Sequence, residues 1–162
     1  MSMPRHFAVI ATLLIAVVTA MGAAPTASAQ PAPTESVEDF AITSEVPTVE
    51  ELDAQIRLLV ATQAPDWVKA AQLEGGDRAV IVPKMIYRLG FFRAPRGYSQ
   101  VTGPETHDGD RHTAIINAHR QGAPTIQVEA EWRRIDGRWK LASKSLCNGI
   151  KTIGLPIPCN FE

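Results

Sequence analysis

The chain has 162 residues, a formal net charge of −1 and 20% charged residues. That length suits a single domain. The near-neutral balance excludes an electrostatic case for nucleic acid or for an anionic membrane surface.

Residues 1–29 read as a cleavable secretory leader. Arg5 and His6 make a short basic start, residues 7–24 carry no charge, and Ala27-Ser28-Ala29 places small residues at a peptidase site before Gln30. An uncleaved anchor is the rival reading. The apolar run lies at the lower edge of spanning length and thins into Thr19, Gly22, Pro25 and Thr26, which suits cleavage better. The two cysteines, Cys147 and Cys159, lie far from that run, so neither is a lipid-bearing residue at its end. The expectation is a secreted or cell-wall-associated protein, cut after Ala29, with no stable membrane anchor. Residues 30–47, rich in Pro, Ser, Thr and acidic residues, read as a disordered arm ahead of one domain at 48–162. Thr34 and Ser36 could accept O-linked sugar, but a plain linker is the simpler reading.

Thr48 and Glu51 predict a capping box, and Val49, Leu52, Ile56, Leu59 and Val60 form one helical stripe to about Gln63. Pro65 starts a second helix, 65–73, which Gly75-Gly76 terminates. A third is predicted over 83–90, with Met85, Ile86 and Leu89 buried. Beyond Arg96 the hydrophobic period changes to two. Strands are predicted at 98–102, 112–120, 125–135 and 138–147, with a polar turn at 104–110. Asp136-Gly137 is a two-residue hairpin turn that sets Trp132 opposite Leu141 and Arg133 opposite Lys140. The same register, continued, sets Ala130 opposite Ser143, Glu129 opposite Lys144 and Ile126 opposite Cys147. The expected fold is α+β: N-terminal helices packed on a curved antiparallel sheet of about four strands.

In an oxidising compartment Cys147 and Cys159 are expected to form a disulfide. Gly149, Gly154, Pro156 and Pro158 between them are expected to exclude a continuous helix or strand. Without a nearby histidine the cysteines make half a metal site, and their spacing is not that of a redox pair.

The order of motifs resembles the actinobacterial low-molecular-weight secreted antigen family. The carriers are the leader and Pro-rich arm, Pro47-Thr48 with Leu52, the turn Leu73-Glu74-Gly75-Gly76, and the hairpin Trp132 to Leu141 with Gly137, Trp139 and Leu141. They span about residues 46–146, so the Cys147–Cys159 tail falls outside the likeness. The resemblance implies a cystatin-like (nuclear transport factor 2-like) cone, a secreted or wall-associated setting and no established catalysis.

For chemistry, the cluster His107-Asp108-Gly109-Asp110-Arg111-His112 could ligate a metal or supply a general base. Turn geometry alone accounts for Asp-Gly, and the loop is expected to project into solvent. His112 and His119, seven apart, point to opposite faces of one strand and cannot act together. Asn117 and His119 share a face that is either a pocket wall or the outer surface. Lys84, Arg88, Arg93 and Arg96, interleaved with Tyr87, Phe91 and Phe92, read as an amphipathic helix and its exit rather than a nucleic-acid patch. No catalytic, cofactor or metal residue is assigned. The candidate pocket residues are Tyr98, Asn117, His119 and Trp132.

Two functions follow. One is a non-catalytic envelope module, monomeric or a weak homodimer, that binds an envelope protein or an apolar small molecule. The other is a small cone-fold enzyme, isomerase- or dehydratase-like, with His119 or another pocket residue as acid or base.

Overall fold

A computed structural model describes residues 40–161; the leader and most of the arm lie outside the described residues. The element order is α1 (Val49–Ala61), α2 (Asp66–Ala71), α3 (Gly76–Ala79), α4 (Ile81–Leu89), β1 (Gly97–Asp108), β2 (Arg111–Arg120), β3 (Ile126–Ile135), β4 (Arg138–Leu141) and α5 (Ser143–Thr152). The strands form one antiparallel sheet in sequential order. Helices cover one of its faces, an α+β fold as expected.

The capping box forms as read: Thr48 Oγ1 accepts from Glu51 N, and Glu51 Oε2 accepts from Thr48 N at 2.8 Å. Leu52, Ile56 and Leu59 of α1 are buried, and Val49 and Val60 pack against the same core. In α4, Ile86 is buried while Met85 is exposed, against expectation, because α4 begins at Ile81 and turns Val82, Pro83 and Ile86 inward instead. Gly75-Gly76 does more than end a helix, since Gly76 opens the short α3.

Asp136 and Gly137 both have positive φ, 52° and 74°, the requirement of a tight hairpin turn. The pairs Trp132–Leu141 and Arg133–Lys140 form. Beyond Leu141 the expected register fails. Ala142 turns the chain and 143–152 is helical, so Ser143, Lys144 and Cys147 have no strand partners. Two contacts end the strand. Leu141 N donates to Gln72 O, and Leu141 O accepts from Glu74 N, docking β4 on the α2–α3 connection. Ser143 N then donates to Glu74 Oε2 at 2.8 Å, and this carboxylate caps α5 from another part of the chain. Gly149 does not interrupt α5, which ends before Gly154 at φ 74°. Cys147 on α5 is bonded to Cys159 in the tail, Cα–Cα 5.5 Å.

β1 is also longer than expected. Pro104–Asp108 belongs to the strand, and the turn shrinks to Gly109-Asp110. A register shift between Thr102 and Thr106 takes up Pro104, which lacks an N–H and is tolerated on this edge strand at an irregularity. Asp53 of α1 ties the strand down by accepting from Val101 N at 2.8 Å.

Residues 40–47, expected within the arm, pack on the domain. Ile42 is 2% exposed, its carbonyl accepts from Trp139 N, and Ser44 O accepts from the Trp139 indole at 3.0 Å. Phe40 and Ile42 of this stretch are therefore core contacts rather than linker, while Val46 is exposed.

Candidate functional site

Alternation along the strands decides which residues face the helices. Ser99 and Val101 of β1, Ile116 and Ala118 of β2, and Val128, Ala130 and Trp132 of β3 point inward. Ala118 is small, and no large side chain replaces it at that end of the sheet. A cavity of about 80 Å³ remains there, several times the ~10–15 Å³ that one water needs. Ile56 and Val60 of α1, Ile86 of α4, Phe92, and Leu146 and Ile150 of α5 close it. Its lining is apolar apart from Ser99 and Ser145. Ser145 Oγ accepts from Glu131 N at 2.7 Å. Ser99 is 7% exposed and its Oγ has no hydrogen-bond partner. None of the residues lining this cavity titrates.

Phe92 and Ser99 also line a neighbouring groove of about 680 Å³. Its other walls include Arg57, Arg93, Arg96, Arg120, Tyr98 and His119. The groove depends on Gly97. A Cβ there would collide with the carbonyl oxygens of His119 and Phe91, so only glycine lets the segment after α4 enter the sheet so closely.

The four candidate pocket residues do not come together. Trp132 is fully buried in the core, with its indole donating to Gln55. Asn117 lies on the uncovered face, where it donates to Thr102 Oγ1 at 2.7 Å and accepts from Gln127 at 2.9 Å. Tyr98 and His119 are cross-strand partners on that same face, stacked with ring centroids 4.3 Å apart, and His119 Nδ1 lies 2.9 Å from Thr125 Oγ1. These two meet in the groove; neither reaches the cavity.

Residues 107–111 of the histidine cluster are exposed, as expected, and only His112 departs from that reading. His112 is 2% exposed, because alternation along β2 puts it opposite Trp132 on the same covered face as Ala114. Its Nε2 lies 3.1 Å from Glu105 Oε2, its Nδ1 is buried without a partner, and its ring packs edge-on to Trp139. Burial pushes its pKa down, and Glu105 partly offsets this. Among the described residues no group of three or more His, Cys, Asp and Glu is arranged to hold a metal ion.

Two buried polar residues gave no signal in the sequence. Gln55 occupies a position of α1 between apolar neighbours, and its partners come from the α2–α3 connection, β3 and β4. Lys69 is 2% exposed, with Nζ donating to Leu59 O at 2.9 Å and Thr62 O at 2.8 Å. It satisfies the free carbonyls at the end of α1. Burial lowers its pKa. The interleaved basic residues also divide: Lys84 pairs with Asp66 at 2.7 Å, whereas Arg93 and Arg96 line the groove.

The fold and cavity define a small α+β domain with an apolar chamber under a four-stranded sheet and a basic groove beside it. Residues 45–157 match the family described as low molecular weight antigen MTB12, C-terminal domain, and the chain belongs to that family. No curated protein matches the chain. No solved structure matches it either. Among the described residues no helix is long and apolar enough to cross a membrane.

Proposed function

We propose that this low-molecular-weight-antigen-type protein is exported, loses residues 1–29, and acts as a non-catalytic binding module that holds a small apolar ligand. The cone implied by the family resemblance belongs to this reading, with the cavity as its interior. The observation that carries it is Ser99: a hydroxyl more than nine-tenths buried, without a partner, in an otherwise apolar chamber. Such a group costs about 1–3 kcal/mol until something bonds to it, and a bound molecule supplies the bond. The non-catalytic part is supported by the lining, which offers neither acid nor base, and by His119 facing away from it. An envelope protein on the uncovered sheet face remains compatible with the same reading.

Native mass spectrometry of the protein purified from its own host tests this. A co-purifying small molecule is expected, on a chain beginning at Gln30. Neither ligand nor partner on the chain would overturn the binding role, and a chain beginning at Met1 would overturn the processing.

A further inference from the structure

The cavity and the groove share Phe92 and Ser99, so the apolar chamber lies beside a groove lined by arginines. The groove lining contains four arginines and no aspartate or glutamate. Arg57 is paired with Asp53 at 3.2 Å. Arg93, Arg96 and Arg120 have no carboxylate partner among the described residues. They are nonetheless held in place. Arg93 Nε donates to Tyr87 O at 3.2 Å and its guanidinium lies 4.3 Å from the Tyr87 ring centre. Arg96 Nη1 donates to Leu89 O at 3.1 Å, and the Arg120 guanidinium lies 5.2 Å from the Phe91 ring centre. Carbonyls and rings fix the geometry of these cations without neutralising them, leaving N–H donors for an anion.

Building on the binding role proposed above, we infer that the ligand is an anionic amphiphile. Its short apolar tail fills the chamber and its carboxylate or phosphate head sits among Arg93, Arg96 and Arg120. Ser99 stands where the two compartments meet and bonds the first polar atom beyond the tail. A neutral apolar molecule fills the chamber but leaves the arginines unanswered. A tail-less anion does the reverse, leaving the chamber and Ser99 unused. The limited chamber volume suits a short chain such as octyl rather than a full membrane-lipid chain.

Titration calorimetry of the purified protein with 1-octanol, octanoate and octyl phosphate tests the inference. The anions are expected to bind roughly tenfold more tightly than the alcohol, with the preference shrinking at high salt. Arg96→Gln with Arg120→Gln should bring the anions to the level of octanol and leave octanol unchanged. Ala118→Leu and, independently, Gly149→Leu should weaken all three by narrowing the chamber, each variant being checked for an unchanged melting profile. Whichever anion binds better identifies the head, and either order supports the inference. Equal binding of alcohol and anions would overturn it while leaving the apolar pocket standing. Anion binding indifferent to both chamber variants would overturn it by locating the anion in the groove alone. No binding of any probe would overturn this inference and the binding role together.

Discussion

The indole Nε1 of Trp132 donates to Oε1 of Gln55 at 2.7 Å, joining residues 77 positions apart in the chain. The same glutamine donates from Nε2 to Gln72 Oε1 at 3.0 Å and to Trp139 O at 2.8 Å. Trp132, Trp139 and the α2–α3 connection are thereby referenced to one amide of α1 that is itself fully buried. Such a network is stabilising only while every member is satisfied. Gln55→Ala strands a donor and two acceptors at once, and is expected to cost about 3 kcal/mol or more, read as a lower urea midpoint. A loss under about 1 kcal/mol would mean that the amide is dispensable.

Glu74 makes a second long-range tie, as the carboxylate at the start of α5. Glu74→Ala should cost about 1 kcal/mol and reduce helical circular dichroism. Because Leu146 and Ile150 of that helix wall the cavity, ligand affinity should fall with it. Glu74→Ala with full affinity would show that α5 is positioned without the cap.

The disulfide joins the same helix to the tail across a sequence separation of 12. In the chain-entropy account a loop of this size contributes roughly 3 kcal/mol. Cys147→Ser with Cys159→Ser is expected to lose about that much in denaturant titration, and the reduced wild type should match it. The tail residues Ile157 and Phe161 are buried against the core, so protease access near Gly154 should rise in both.

Two titrations divide the acid limb of stability. The folded-state pKa of His112 lies below its ordinary 6.5, so the unfolded chain takes up a proton first as pH falls. The contribution of neutral, buried His112 is therefore complete above that range and declines from about pH 6.5 downward, through the folded pKa. Glu131 acts in a lower window. Hydrogen bonds from Arg111 and Arg133 hold its carboxyl below the usual 4.5, giving stability that is present above this value and lost as pH falls beneath it. His112→Gln should flatten the upper step and Glu131→Gln the lower one in urea midpoints measured across pH. A single step insensitive to both variants would contradict the assignment.

The elements that proved readable in the sequence were those whose causes are local. Thr48 and Glu51 are three residues apart and form their box; Asp136 and Gly137 are adjacent and set the hairpin. Failure came where a distant residue decides. Residues 140–147 alternate well enough to read as a strand, while Leu146, Ile150 and Ile153 carry a competing helical spacing. The choice is made by Gln72 and Glu74, which stop β4 and cap α5. Pro104 looked like a turn residue because its cost depends on which edge of the sheet it occupies. For the candidate site, the sequence names Tyr98 and His119 but leaves their face open, and the fold places both in the wall of the groove. The arginines of the groove come from α1, the segment after α4, and the end of β2. Only the folded chain brings them to one groove.

The two margins of the sheet carry a further consequence, for how the molecule behaves at high concentration. A strand with a bare row of backbone groups recruits other chains into stacked aggregates. Here β4 spends Trp139 N on Ile42 O and both backbone groups of Leu141 on the α2–α3 connection. At the far margin, β1 gives Val101 N to Asp53 and is broken by its irregularity around Pro104. An incoming strand meets no long uninterrupted run of free donors and acceptors at either margin. The fold thus shields itself against edge-on polymerisation by its own loops, a helix carboxylate and one proline.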